Sequence, residues 1–193
     1  MSLTVADLHA MKREGRKIAA VVCWDSGTAQ VADDAGVELV SVGDSVAASL
    51  DELLVFCRAV RRGVRRALVS CDLPDPSVEA ARRLVDAGAD LVKVEGVEHV
   101  RELAAAGIPV FAQIEASAEA KRMEDAGAAL VDFRHSGPAA GAEAVAAVSI
   151  PVLGGLGGGP WLDGRVRAVH RLLDDAVAAY ADDVRAGRPV KGD

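Results

Sequence analysis

Aromatic residues are scarce: Phe, Trp and Tyr make up 3% of the 193 residues, so any core must be built from Ala, Val and Leu. Cysteine is scarcer still. Cys23, Cys57 and Cys71 are odd in number and lack metal-ligand spacing. That argues against a disulfide framework or a zinc site and suits small buried side chains in a reducing compartment. There is no basic excess. A net charge of −7 and a pI of about 5.1 argue against a nucleic-acid or anionic-membrane surface. No apolar run approaches the ~20 residues of a membrane span. Residues 1–17 hold neither an apolar signal-peptide core nor a cleavage site. The expectation is a soluble cytoplasmic protein that handles small molecules.

What the chain has is a rhythm. Hydrophobic residues are 51% of the total, gathered into short runs that alternate with helical patterns. A helix over 4–12, with Val5, Leu8 and Met11 on one face and Thr4 as N-cap, comes first. Strands are then expected at 18–24, 39–44, 67–72, 91–96, 109–114, 129–135, 151–157 and 166–170. The helices between them are expected at 31–36 (the end of the first), 51–63, 77–88, 98–107, 117–127 and 141–149, with a closing helix at 174–187. Gly36, Gly63, Gly88, Gly107 and Gly127 each follow a helix, the place of a left-handed C′ residue. The strand runs are apolar on both faces, as parallel strands covered by helices are. Strict alternation leaves a closed (β/α)8 TIM barrel or an open doubly wound sheet. At 193 residues the barrel would be a trimmed one, a single domain over 1–193 with an extra N-terminal helix.

The strand ends favour the barrel. Asp44, Asp72, Glu95, Glu115 and Arg134 stand at the ends of successive apolar runs, at intervals of 28, 23, 20 and 19 residues. Polar residues at the C-terminal ends of several strands are the mark of a barrel active site. Side chains alternate along a strand, so Asp44, Asp72, Lys93, Glu95, Gln113, Glu115, Asp132 and Arg134 can share an inward parity. Converging carboxylates make a hard, oxygen-rich pocket suited to Mg²⁺, and Lys93 would supply charge for a substrate carboxylate. Asp132 lies deeper and reads as structural, paired with Arg134 or Lys93. His9 and His99 fall on helices and read as surface residues; His170 and His135 read as packing or loop residues. The glycine-rich stretch 154–160 is a weak phosphate-loop signal, since it lacks the Lys-Ser/Thr of a P-loop.

Motif by motif and in order, the sequence resembles the ketopantoate hydroxymethyltransferase family of the phosphoenolpyruvate/pyruvate barrel superfamily. The resemblance rests on ThrValAlaAspLeuHisAlaMetLys (4–12), CysTrpAspSerGlyThrAla (23–29), ValGlyAspSer (42–45), CysAspLeuPro (71–74) and ValLysValGluGly (92–96). It continues through GlyGlyGlyProTrpLeuAspGlyArgVal (157–166), ValHisArgLeuLeu (169–173) and TyrAlaAspAspValArgAlaGlyArgPro (180–189). It implies that Asp44 and Asp72 bind a divalent metal directly, with Glu95 holding it through water. It also implies that Ser45 and Lys93 bind a 2-oxoacid, and that the metal stabilises an enolate. The family adds that enolate to a one-carbon unit from methylenetetrahydrofolate, and its likeness suggests a homo-oligomer.

Three features depart from the family pattern. Arg134 stands where the family has a glutamate base, and arginine cannot accept a proton in this range. Gln113-Ile114-Glu115 replaces a His-Ile-Gly, and the loops after Ser45 and after the fifth strand are short. The expectation is therefore a metal-dependent carbon–carbon bond enzyme acting on a 2-oxoacid, a hydroxymethyltransferase or an aldolase. Glu115 is the candidate replacement base, Arg134 orients it or binds substrate, and Gln113 joins Ser45 and Lys93 as a substrate contact. A retro-aldol or other lyase reaction is the alternative within the class; a catalytically silent homologue serving as a binding or assembly partner is the alternative outside it.

Overall fold

The computed structural model describes residues 2–43, 49–155 and 158–188. Among these, eight parallel strands close into a barrel in the order β1 to β8. They are β1 (Ile18–Val22), β2 (Leu39–Val42), β3 (Leu68–Asp72), β4 (Leu91–Glu95), β5 (Val110–Ile114), β6 (Leu130–Phe133), β7 (Val152–Gly154) and β8 (Gly164–Ala168). The helices are α1 (Val5–Arg13), α2 (Ser26–Asp34), α3 (Leu50–Gly63), α4 (Val78–Asp86), α5 (Val97–Ala105), α6 (Glu119–Asp125), α7 (Pro138–Ala147) and α8 (Val169–Arg185). The closed barrel replaces the pair of architectures that alternation alone allowed.

Two layers of apolar side chains explain the closure. Inside, Ile18, Leu39, Leu68, Leu91, Phe111, Leu130 and Leu153 form one buried cluster with Leu8 and Met11 of α1. The extra helix is thus the floor of the barrel. Its capping box on Thr4 and Asp7 fixes where it starts. Lys12 ties it in, with Nζ 2.9 Å from Asp163 and donating to the carbonyls of Val145 and Ile150. His9, expected at the surface, is half-buried instead, with Nε2 2.8 Å from the Ala129 carbonyl. Outside, Val40, Val69, Val92, Val110, Val131 and Val152 pack under the helices. One polar clamp crosses that layer: the Asp33 carboxylate accepts from the backbone N–H groups of Arg65, Arg66 and Ala67. Burial alone would raise its pKa, and these three donors hold it below the ordinary aspartate value.

Several boundaries differ from those expected, and two of the differences have a plain cause. α7 begins at Pro138 rather than 141, because proline suits the first turn of a helix. β8 runs from Gly164 to Ala168, paired residue for residue with Ile18 to Val22, so His170 falls in α8 rather than on a strand.

Candidate active site

The C-terminal ends of β3 to β6 bring the expected residues to one rim. Inward parity is set by the interior cluster. Leu68, Leu91, Phe111 and Leu130 lie in it, so Asp72, Lys93, Glu95, Gln113 and Asp132 share their face. Register places Asp72 beside Lys93, Glu95 beside Gln113, and Gln113 beside Asp132. A cleft of about 370 Å³ opens here, lined by Asp72, Pro74, Lys93, Glu95, His99 and Gln113.

Lys93 is the hub. Its side chain is 2% exposed, with Nζ 3.4 Å from Asp132 Oδ2 and 3.5 Å from Asp72 Oδ1. The Phe111 ring lies beneath, 5.2 Å from the nitrogen to the centroid. Burial alone would push the ammonium toward neutrality. The charges of Asp132 and Asp72 outweigh it and hold Lys93 above the ordinary lysine range. A cation at neutral pH therefore sits at the barrel centre, flanked by two carboxylates. The reading of Asp132 as a structural partner of Lys93 agrees with this geometry, although its Oδ1 is buried with no hydrogen-bond partner among the described residues.

Around the hub, Asp72 is kept in place by what its neighbour lacks. Gly43 follows β2 at φ 137°, and a Cβ there would lie 2.2 Å from the Asp72 carboxyl carbon. Only glycine fits both the backbone and the space. Beyond the hub, Gln113 meets Arg134. With its amide oxygen turned toward the guanidinium, it accepts from Nε at 2.7 Å and from Nη2. Arg134 is thus braced across β5 and β6.

Glu115 lies just past β5 and is exposed. It opens on a second cleft of about 340 Å³, together with Glu95, Gln113, His99 and Glu119, and not on the cleft that holds Asp72 and Lys93. His99 lines both clefts. Its Nδ1 lies 3.0 Å from the Glu95 carbonyl oxygen. A carbonyl only accepts, so Nδ1 carries a proton, and in the tautomer that this bond selects Nε2 is the acceptor. His99 is exposed on α5, as the sequence reading has it; what that reading does not give is its place at both clefts, and the signal is its position four residues after a strand-end glutamate, within one helical turn of the rim. Among the other rim groups, His135 sits in a turn at φ 54°, and His170 stacks on Trp24 with ring centroids 5.9 Å apart. The Cys23 thiol, just past β1, is pushed up to about 11 by burial and is no nucleophile at neutral pH.

Asp44 and Ser45 lie outside the described residues. Among the described residues no three His, Cys, Asp or Glu side chains cluster closely enough to hold a metal ion. The described donors are Asp72 and Glu95, hard carboxylate oxygens at adjacent strand ends, and these suit a magnesium-like cation that keeps several waters. Gly159 of the glycine-rich stretch and Gly141 of α7 have a packing role: a Cβ on either would lie 2.3 or 2.2 Å from the Trp161 ring. Those glycines make room for an indole.

Residues 2–117 match the family described as ketopantoate hydroxymethyltransferase. A 3-methyl-2-oxobutanoate hydroxymethyltransferase of Cyanothece sp. is 37% identical over 215 residues, covering 86% of this chain and 82% of the relative. That aligned stretch exceeds the 193 residues of this chain, so the relative carries segments that this chain lacks. Solved structures share the fold. Phosphoenolpyruvate phosphomutase from Streptomyces platensis subsp. rosaceus matches with a TM-score of 0.73 at 16% identity, covering 96% of this chain and 89% of its own. Phosphonopyruvate hydrolase, solved with oxalate and Mg²⁺, matches with a TM-score of 0.67 at 18% identity, covering 100% and 90%. With its sequence matched over most of its length and its barrel closed, the chain belongs to the ketopantoate hydroxymethyltransferase family of enzymes.

Proposed function

We infer that this protein is a divalent-metal-dependent carbon–carbon bond enzyme that acts on a 2-oxoacid through its enolate. One observation carries the reading: a buried Lys93 lies between Asp72 and Asp132, with Glu95 next on the inward face of the same strand, and Asp72, Lys93 and Glu95 line one cleft. An ammonium so placed attracts a carboxylate substrate, while Asp72 and Glu95 remain to hold a cation. Asp44 and Ser45, which follow β2 in the sequence, are proposed to complete the set as a metal ligand and a substrate contact. When bound, Mg²⁺ would supply positive charge that lowers the cost of removing a proton from C3.

The chain's own groups divide the remaining work. Lys93 binds the substrate carboxylate and keeps it from solvent at the barrel centre. Gln113 braces Arg134, which offers a second cationic contact at the mouth. The base is proposed to be His99 rather than Glu115. It shares the cleft with Asp72 and Lys93, and its Nε2 is left to accept a proton. The second carbon partner is not assigned; the segments that relatives carry and this chain lacks leave methylenetetrahydrofolate without a supporting observation. Association into a homo-oligomer is part of the proposal.

Calorimetry tests it. Pyruvate or ketoisovalerate should bind in the presence of Mg²⁺ and not in its absence, and Asp72→Ala should lose that binding. Equal binding with and without metal, or in Asp72→Ala, would contradict the reading. A silent homologue need not bind metal at the barrel mouth.

A further inference from the structure

The two cations of the rim are provided for differently. Lys93 is matched by two carboxylates, Asp72 and Asp132. Arg134 is half-buried just past β6, and among the described residues no carboxylate lies within ion-pair distance of it. Its described partner is neutral: the Gln113 amide oxygen, which accepts from Nε at 2.7 Å and from Nη2. Withdrawing a guanidinium from water with no anion beside it is costly.

Two observations aim Arg134 at the cleft. Gln113, which holds it, lies on the inward face of β5 and lines the cleft that Asp72 and Lys93 share. The charge of Arg134 also works against the protonation of Lys93, so each cation lies within reach of the other's field. The grip of Gln113 leaves the guanidinium half used. Five N–H groups form a planar fork, and Gln113 takes the side with Nε. The edge formed by Nη1 and Nη2 is engaged by no described residue. That edge can hold a carboxylate by two parallel hydrogen bonds. Across the cleft, Leu73 and Pro74 give an apolar wall, so the cationic side is the one toward β6.

We propose that the substrate is a dicarboxylic 2-oxoacid of four or five carbons, its C1 carboxylate at Lys93 and its distal carboxylate on the Nη edge of Arg134. This rests on the reading of the cleft as a 2-oxoacid site and narrows it. Only β5 separates β4 from β6, so the two cations spring from strands about 10 Å apart. A short dicarboxylate with a hydrogen bond of about 2.8 Å at each end spans such a gap. The distal group is a carboxylate because one guanidinium matches its single charge. A phosphonate carries up to two charges and would call for a second cation, while Lys93 is already engaged at C1. Pyruvate or ketoisovalerate would set methyl groups against the fork and leave its donors without an acceptor.

Calorimetry at saturating Mg²⁺ tests this by comparing freshly dissolved oxaloacetate and 2-oxoglutarate with pyruvate and ketoisovalerate. The better dicarboxylate should bind about tenfold or more tighter than either monocarboxylate, the scale of hydrogen bonds to a charged group. In Arg134→Gln that ratio should collapse to near one, and in Gln113→Leu it should fall part of the way. A monocarboxylate that binds the parent as tightly as either dicarboxylate would overturn the proposal, and so would a ratio that survives Arg134→Gln. Tighter binding of a 2-oxoacid with a distal phosphonate would overturn the choice of carboxylate. Failure of every acid to bind in the presence of Mg²⁺ is a separate result: it strikes the reading of the cleft itself, and the proposal falls with it.

Discussion

Lys93 Nζ lies 3.4 Å from Asp132 Oδ2, inside the barrel and out of reach of solvent. The pair is a liability if broken. Removing one partner of a buried ion pair leaves the other charged and alone, at a cost of about 3–5 kcal/mol. Lys93→Ala should therefore lower stability by about that amount, with denaturant titration as the measure, as well as weaken 2-oxoacid binding. The sign of the pH dependence follows from the raised pKa of Lys93. Its contribution is complete below the ordinary lysine value of about 10.4 and is lost as pH rises through the higher folded value. The parent should lose stability above pH ~10 in a way that Lys93→Ala does not.

Gly43 and Asp72 give a second expectation. A methyl group at residue 43 would displace the Asp72 carboxylate, since the two cannot share the space. Gly43→Ala should weaken Mg²⁺ binding by about tenfold or more, the scale of losing the support of a metal ligand. Calorimetric titration reads this, with far-ultraviolet circular dichroism unchanged.

A third concerns acid. Burial works to raise the pKa of Glu124, but Lys121 and the Ser149 hydroxyl and amide hold it at about 2. Lys121 is half-exposed, so the hydrogen bonds from Ser149 dominate the stabilisation. Glu124→Gln should cost about 2 kcal/mol at neutral pH, the scale of hydrogen bonds to a charged group. A depressed carboxylate stabilises above its unfolded value of about 4.3 and stops doing so as pH falls through the folded one. The difference between parent and variant should thus fade between pH ~4 and ~2 in thermal melts.

The barrel was legible because its two signals, apolar runs at βα spacing and polar strand ends, reinforce each other. Asp72, Lys93, Glu95, Gln113 and Asp132 came together as parity required, since period-two alternation fixes facing once a strand is placed. Glu115 did not join the same cleft, because β5 ends one residue earlier, at Ile114, and parity lapses beyond a strand. His99 was hidden for a different reason. A helix residue reaches the rim only through the angle at which its helix leaves the strand, which periodicity does not encode.

The choice of base separates two variants. His99→Ala should slow proton removal from a 2-oxoacid by about 10²-fold, the usual share of a positioned general base. Glu115→Gln should leave the rate near that of the parent. The reverse ranking, read from initial exchange rates at saturating acid, would return the role to Glu115.

The enolate claim itself is tested most directly by hydrogen exchange. The protein is incubated in deuterium oxide with Mg²⁺ and pyruvate or ketoisovalerate, and the C3 protons are followed by NMR. No second substrate is needed. The account predicts loss of the C3 signal that depends on enzyme, on Mg²⁺ and on Asp72. Full retention of the C3 protons with every acid tried, by a protein that binds both Mg²⁺ and the acid, would contradict it.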